Sequence, residues 1–230
     1  MIPKILHYCW FGGRPKTKLA QKCLESWRRH LQGWDLREWS EENFPMDDFP
    51  FASAAARERR WAVVSDIARY WCLEKFGGVY LDMDVELLAP IDDLILPGPF
   101  VASEVAPHEK GVESVNPGGG LALPKRSIFA REMLNGFSRR SYNSQVEMMG
   151  IIRELVDLSL LRAKECGEIV RVLPSAVFSP IQPDGRLLRC PETHGIHWYA
   201  MSGYPFTVRL ARWLAWHHLG WFLRLLRRCR

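Results

Sequence analysis

The chain has 230 residues, 47% of them hydrophobic and 12% aromatic, which is enough for one globular domain with a buried core and excludes a disordered protein. Its formal net charge is +5, but the six arginines between Tyr204 and Arg230 face no acid there, and the rest of the chain has 25 basic and 26 acidic residues. A nucleic-acid binder carries its basic residues across the folded surface, so this distribution argues against that class.

Six cysteines are scattered along the chain without a C-x-x-C pair, and several lie in apolar patterns, so we predict buried thiols. The first predicted strand begins almost at Met1 with no signal peptide before it. No apolar run approaches the roughly 20 residues that span a bilayer. We therefore expect a cytoplasmic protein, with peripheral attachment to the inner face of the cell membrane.

The first half of the chain alternates between strand and helix patterns. Strands are predicted at 4–10, 35–39, 79–81, 85–88 and 100–103. Helices are predicted at 17–31, from Ser40 onward, at 51–60 and at 61–76. A strand–helix–strand opening is typical of nucleotide-binding α/β domains. The glycine pair at 12–13 lacks the G-x-x-x-x-G-K-[ST] pattern, which excludes a P-loop NTPase.

The second half is predicted to complete the sheet and to build the acceptor side. A long glycine- and proline-rich loop covers 108–120, and loops of this length in compact domains are usually functional or mobile. Helices are predicted at 128–139 and 144–161, followed by strands at 170–173 and 176–178.

Two acidic residues follow a compact apolar strand directly. In extended chain residues i and i+2 point the same way, so Asp82 and Asp84 present two carboxylates to one side and Met83 turns to the other. Such oxygen donors suit Mg²⁺ or Mn²⁺. A solvated acidic turn is the alternative. Asp66 and Arg69, three apart on the preceding helix, favour a functional site because they can act together.

The segment SDIARYWCLEKFGGVYLDMDVELL resembles the DXD sugar-binding region of glycosyltransferase family 32, and it is similar to the glucosyltransferase domain of large clostridial toxins. IPKILHYCWFGG is similar to the first strand of these families, and the likeness continues weakly to about Tyr204. The resemblance implies a single α/β domain of the GT-A type over residues 1–204, with a mixed central sheet. It also implies metal-dependent, retaining transfer of a sugar from a nucleotide sugar, with a UDP-sugar favoured, to a glycan or lipid-linked acceptor in surface polysaccharide synthesis.

The same resemblance implies roles for individual residues. Asp82, Asp84 and Arg69 are the expected catalytic residues, with Mn²⁺ or Mg²⁺ bound by the two aspartates. His197, in THGIHWYAMSGY, is the expected third metal ligand, with His194 as the fallback and a structural histidine as the alternative. The residues expected to contact the nucleotide sugar are Tyr8, Trp10, Ser65, Asp66, Arg69, Tyr80, Asp82, Asn116, Ser202 and Tyr204. Trp10 either stacks on the base or is a core tryptophan.

Residues 205–230 are predicted to form a basic amphipathic helix. The arginines cluster on one side, with Trp213, Trp216 and Leu223 among them, and the broad opposite side is apolar: Leu214, Leu219, Trp221, Phe222, Leu225 and Leu226. A helix rich in Trp and Arg and without acids suits the plane of an anionic membrane surface. Docking on the domain or on a second copy is the alternative. For the whole chain the alternative functions are a nucleotide-sugar hydrolase and a catalytically inactive, membrane-associated carbohydrate-binding protein.

Overall fold

The computed structural model describes residues 1–105, 113–143, 148–181 and 186–200. The strands in this part of the chain form one seven-stranded sheet, in the order β2-β1-β3-β7-β5-β6 with β8 beside β5, and a separate pair of β4 with β9. The strands are β1 (Ile5–Cys9), β2 (Asp35–Trp39), β3 (Gly78–Tyr80), β4 (Val85–Leu87), β5 (Phe100–Val105), β6 (Glu113–Val115), β7 (Leu121–Leu123), β8 (Arg171–Leu173) and β9 (Gly195–His197).

The helices connect these strands and cover the sheet. They are α1 (Lys18–His30), α2 (Pro50–Arg57), α3 (Trp61–Phe76), α4 (Asp92–Ile95), α5 (Ile128–Ser138), α6 (Met148–Glu165) and α7 (Ser175–Phe178). Thr17 caps α1, because its hydroxyl accepts a hydrogen bond from the Ala20 amide. Gly77, with a φ of 69°, ends α3 in a backbone conformation that glycine adopts without steric cost.

The main sheet changes character at β3. Strand β1 is parallel to both β2 and β3, whereas β3, β7 and β5 pair antiparallel. The carboxyl ends of β1, β2 and β3 therefore meet at one edge, and ligands of open α/β sheets bind in the crevice outside such ends. The segments that follow β1 and β3, which hold Trp10 and Asp82, both begin at this edge.

Apolar side chains alternate between the two faces of the sheet, as the period of a strand requires. Cys9 and Tyr80 pack with residues of α2, α3, α5 and α6, whereas Tyr8 and Val79 pack with α1, β4 and α7 on the other side. Trp27 of α1 is fully buried in the second layer, and its indole N–H donates to the Val85 carbonyl at 2.8 Å. The fold class is the mixed α/β arrangement that the sequence predicts.

Several predicted elements differ from the observed ones. The segment from Ser40 forms a turn instead of a helix, because the Asn43 side chain accepts from the Ser40 amide and so competes with helical hydrogen bonds. Residues 176–178 belong to α7 and not to a strand, since the Ser175 amide and hydroxyl both donate to Glu113 and turn the chain after Pro174. Strands β6, β7 and β9 were not predicted.

Two expectations about the chain's environment have partial answers. Cys9, Cys23 and Cys72 are buried thiols as predicted, whereas Cys166 is exposed. Among the described helices, none has the length and apolar character needed to cross a bilayer. The predicted C-terminal helix and the domain boundary at residue 204 lie outside the described residues.

Candidate functional site

Asp82 and Asp84 lie in the tight turn between β3 and β4. The Val85 amide donates to the Asp82 carbonyl at 2.9 Å, so the chain reverses here and is not extended as the sequence suggested. Met83 is nevertheless buried in the apolar layer beside β4. The two carboxylates therefore face a common point, as predicted, and Met83 is buried elsewhere, but a turn and not an extended strand produces this arrangement.

Three groups hold the Asp82 side chain and backbone in place. Its Oδ1 accepts from the Tyr80 hydroxyl at 3.0 Å and from Arg69 Nη2 at 3.3 Å. Its amide donates to the Gly118 carbonyl at 2.9 Å. The Asp82 side chain keeps 29% of its surface exposed, so an approaching ligand can still reach it.

Arg69 is the buried cation of the site. Its Nη2 pairs with Asp66 Oδ1 at 2.8 Å, which confirms that the two side chains share one stripe of α3. Burial opposes the guanidinium charge, but the carboxylates of Asp82 and Asp66 outweigh it and raise the pKa of Arg69. Burial also raises the pKa of Asp66 to about 6, although Arg69 opposes this shift. The buried Nε of Arg69 has no hydrogen-bond partner among the described residues.

Asp84 meets His197 because β4 pairs with β9, which places Val85 opposite His197. Asp84 Oδ1 lies 3.2 Å from His197 Nε2, and its Oδ2 accepts from the Ala200 amide at 2.6 Å. Burial would raise the pKa of Asp84, but His197 and the amide outweigh it and lower that pKa. Burial would likewise lower the pKa of His197, and Asp84 outweighs it and raises that pKa.

Asn116 shapes the wall of the site on the side of the long loop. Its Oδ1 accepts from the amides of Gly118 and Gly119 at 3.0 and 3.3 Å. Its Nδ2 donates to Glu104 Oε2 at 2.8 Å and lies 3.4 Å from His197 Nδ1. Asn116 thus connects the turn behind Asp82 to the histidine beside Asp84.

The side chains around the turn fit a divalent cation. One donor atom from each of Asp82, Asp84 and His197 lies within 4.8 Å of the other two. Carboxylate oxygens are the preferred ligands of Mg²⁺ and Mn²⁺, and imidazole suits several transition metals. The site is also rich in negative charge, which a bound cation would balance.

The sequence profile of the glycosyltransferase sugar-binding region containing the DXD motif matches residues 17–100, which include the Asp82–Asp84 turn and all of α3. This part of the chain is therefore similar to the sugar-binding region of the DXD-containing glycosyltransferases. Inositol phosphoceramide mannosyltransferase 1 of Schizosaccharomyces pombe is a curated relative, 24% identical over 112 residues. The alignment spans 46% of this chain and 35% of the length of that relative.

Two solved glycosyltransferases share the fold. PaToxG glycosyltransferase superposes with a TM-score of 0.53 at 15% identity, over 70% of this chain and 69% of its own. A glycosyltransferase involved in the glycosylation of the major capsid of PBCV-1 gives a TM-score of 0.51 at 14% identity, over 94% of this chain and 99% of its own. At these identities the likeness supports the fold alone, a GT-A-type architecture for this chain.

Two other residues predicted to contact the nucleotide sugar make contacts away from the carboxylates. Tyr8 is on the opposite face of the sheet from Tyr80, where it packs on Trp27 and donates to Glu38 at 3.1 Å. The Trp10 indole N–H donates to the Arg14 carbonyl at 2.6 Å, and Lys16 lies 5.8 Å from its ring.

Four further predicted residues have different outcomes. The Ser65 hydroxyl lies one helical turn before Arg69 and donates to the Trp61 carbonyl at 3.1 Å. His194 pairs with Asp93 at 3.1 Å beyond the far end of β9, so it is not brought to the aspartates. Ser202 and Tyr204 lie outside the described residues.

The sequence did not predict the contact of Glu104 with Asn116 or the structural role of Gly118. Glu104 lies near the end of β5, after the apolar residues Phe100 to Ala102, and Asp82 likewise comes after the apolar residues of β3. This shared pattern was the signal that could have identified Glu104. A Cβ on Gly118 would overlap Asp82 Oδ2 and lie 3.2 Å from Arg69 Nη1. The glycine run at 118–120 marked a close backbone approach of this kind.

Proposed function

We propose that this protein transfers a sugar from a nucleotide-sugar donor to a glycan or lipid-linked acceptor, with a divalent cation bound at Asp82 and Asp84. The match of residues 17–100 to the sugar-binding region of DXD-containing glycosyltransferases supports the class of reaction. The name of the curated relative, an inositol phosphoceramide mannosyltransferase, supports a lipid-linked acceptor.

The charge balance of the site is the observation that carries the proposal. Against one guanidinium and one imidazole stand the carboxylates of Asp66, Asp82, Asp84 and Glu104. A diphosphate brought into this surplus of negative charge would be repelled, and the repulsion is strong where burial lowers the effective dielectric constant. A divalent cation between the carboxylates and the donor removes this conflict, which favours a metal-dependent site.

The chain's own residues divide the remaining work. A bound Mg²⁺ or Mn²⁺ supplies charge neutralisation for the departing diphosphate. Arg69, fixed between Asp66 and Asp82, offers a permanent positive charge beside the turn. The carboxylate oxygens of Asp66 would accept hydrogen bonds from sugar hydroxyls, and the buried Tyr80 hydroxyl orients Asp82 by donating to its Oδ1. Holding these groups on α3 and β3 orients the donor before reaction.

The finer assignments are also proposals. The toxin-like W-x-G-G segment at Trp10 supports a UDP-sugar donor and transfer that retains the anomeric configuration. The family resemblance supports surface polysaccharide synthesis as the setting. The basic segment 205–230 supports peripheral attachment at the cytoplasmic face of an anionic membrane.

A donor screen tests the proposal directly. Purified protein is assayed for thermal shift and for sugar transfer with UDP- and GDP-sugars, with Mn²⁺ or with excess chelator. We expect one donor to stabilise the protein only with metal, and Asp84→Asn to lose transfer at least a hundredfold, because the cation loses a charged ligand. Asp93→Asn, which changes an exposed carboxylate, is the matched control and retains activity.

Three results would contradict it. Full activity in excess chelator would show that transfer does not require a divalent cation. Free sugar released as fast in the absence as in the presence of acceptors would indicate a hydrolase. Donor or glycan binding without any turnover, unchanged in Asp84→Asn, would indicate a carbohydrate-binding protein.

A further inference from the structure

We propose that His197 is a positioning residue that donates a hydrogen bond to Asp84, and that it is not a third ligand of the cation. The inference rests on the proposed function only in taking Asp82 and Asp84 as the metal-binding carboxylates. It follows from the direction of the hydrogen bonds around Asn116, which determine where His197 carries its hydrogen.

The side-chain amide of Asn116 has only one orientation that satisfies its surroundings. Its Oδ1 faces two donors, the amides of Gly118 and Gly119, and its Nδ2 faces an acceptor, Glu104 Oε2. Rotating the amide by 180° would place an NH₂ group against two backbone N–H groups and an oxygen against a carboxylate. Because buried polar groups are costly when unpaired, the observed orientation is strongly favoured.

The second hydrogen of Asn116 Nδ2 is then directed toward His197. Nδ1 of the ring, 3.4 Å away, meets a donor and must offer its lone pair. A neutral imidazole that accepts at Nδ1 carries its hydrogen on Nε2, and Nε2 lies 3.2 Å from Asp84 Oδ1. A doubly protonated ring would set its Nδ1–H against the Asn116 N–H and is disfavoured for that reason, but it too has a hydrogen at Nε2, so in both forms Nε2 is a donor to Asp84.

Metal ligation through Nε2 requires the remaining form of the ring, with its hydrogen on Nδ1. That form would set an N–H of His197 against the N–H of Asn116. Histidines that ligate metals almost always donate their second N–H to a carboxylate, a carbonyl or water, whereas this one faces a donor. The side chain of His197 is 8% exposed and its ring stacks on Tyr199 at 4.1 Å, so a rotated ring has little room.

As a donor, His197 has a defined task. Asp84 Oδ1 receives Nε2–H and Oδ2 receives the Ala200 amide, so both oxygens are fixed in direction and each keeps a lone pair for a cation. Glu104 supports this arrangement from behind, because it holds Asn116. The chain of contacts runs from Glu104 through Asn116 and His197 to Asp84.

The first test needs no metal. In full-length protein labelled with ¹⁵N-histidine, long-range ¹H–¹⁵N spectra report which ring nitrogen carries hydrogen, and the His197 signals are assigned by their loss in His197→Gln. We expect hydrogen on Nε2, in the neutral or the doubly protonated ring. A ring with hydrogen on Nδ1 alone would overturn the proposal.

The second test reads the metal directly. Electron spin echo envelope modulation of the Mn²⁺-loaded protein detects the nitrogen of a ligating imidazole. We expect no such coupling, and a Mn²⁺ dissociation constant in His197→Gln within about threefold of the wild type, since the glutamine amide can still donate to Asp84. A nitrogen coupling that disappears in His197→Gln, with affinity lowered more than tenfold, would refute the positioning role. Failure of the wild type to bind Mn²⁺ would instead count against the proposed metal-dependent function, while the first test still shows whether His197 donates to Asp84.

Discussion

Gly118 lies directly behind Asp82, at a point where no side chain can be accommodated. Its carbonyl accepts the Asp82 amide, and a Cβ would overlap the Asp82 carboxylate and crowd Arg69. Backbone at this position therefore forms the wall against which Asp82 is held. The position of the Asp82 carboxylate therefore depends on its neighbours as well as on the two-residue spacing to Asp84.

Gly118→Ala is expected to displace Asp82 and weaken Mn²⁺ binding more than tenfold, with a stability loss of about 1–3 kcal/mol from overpacking. Calorimetric titration with Mn²⁺ and urea unfolding measure the two effects. Gly150→Ala is the control, since Gly150 lies in α6 with nothing near its Cβ position, and alanine there stabilises helices. Equal Mn²⁺ affinity in both variants would show that the wall does not position Asp82.

His7 makes stability depend on pH in a defined direction. It is fully buried in β1, with Nε2 2.8 Å from the Gly77 carbonyl and Nδ1 accepting from the Trp39 indole at 3.1 Å. Burial is the main cause that lowers the pKa of His7 from 6.5 to about 4. The unfolded chain therefore binds a proton at a higher pH than the folded chain, and this binding favours unfolding.

The contribution is fully present above pH 6.5 and is lost as pH falls from 6.5 to about 4, by about 3 kcal/mol in total. Urea unfolding at several pH values, for the wild type and for His7→Gln, isolates it from other titrating groups. We expect the wild type's advantage over the variant to shrink as the pH falls through this window. Parallel stability curves would mean that the pKa of His7 is the same in the folded and the unfolded chain.

At the scale of elements, the sequence predicted what is decided locally. The apolar rows and caps of α1 and α3 and the short strand β2 appeared within a residue or two of their predicted bounds. Residues 176–178 could not be read this way, because a three-residue apolar run fits a strand or a helix equally. Its state depends on Glu113, which is more than 60 residues away along the chain.

A second long-range contact begins α5. The carboxylate of Glu168 accepts from the Ser127 hydroxyl at 2.5 Å and from the Ile128 amide at 2.6 Å, so it satisfies donors at the helix N-terminus from 40 residues away. Glu168→Ala is expected to lower the free energy of unfolding by about 1–2 kcal/mol.

Glu165→Ala is the matched control, because Glu165 forms an exposed pair with Arg162 at 3.1 Å, and such pairs contribute at most about 1 kcal/mol. Urea unfolding compares the two variants. Similar losses would show that the cap contributes no more than a surface ion pair.

At the scale of the molecule, the site collects residues from α3, the β3–β4 turn, β5, the 116–119 turn and β9. Spacing within the DXD segment predicted the Asp66–Arg69 pair and the common direction of the two aspartates. It did not predict Glu104 or the hydrogen-bond environment of His197, because those contacts depend on β9 pairing with β4 and on β5 reaching the same edge. The sequence therefore predicts the contacts between residues that are close along the chain, whereas the contacts that depend on strand pairing are seen only in the structure.

Membrane attachment, a property of the whole chain, remains a prediction about residues 205–230. If the segment lies on an anionic surface, each arginine near the lipid contributes roughly 1 kcal/mol, so six arginines dominate the binding. Replacing the six with glutamine is expected to abolish flotation with liposomes rich in anionic lipid, and raising the salt concentration should weaken wild-type flotation. The arginines are Arg209, Arg212, Arg224, Arg227, Arg228 and Arg230.

A control removes the same charge from the folded surface. It replaces six exposed arginines with glutamine, namely Arg28, Arg29, Arg57, Arg59, Arg139 and Arg153. Because net charge alone attracts a protein weakly to anionic lipid, this variant should float almost as well as the wild type if the attachment is local to the tail. Equal loss in both variants would assign the attraction to overall charge, and flotation unchanged in the tail variant would leave docking on the domain or on a second copy as the role of the segment.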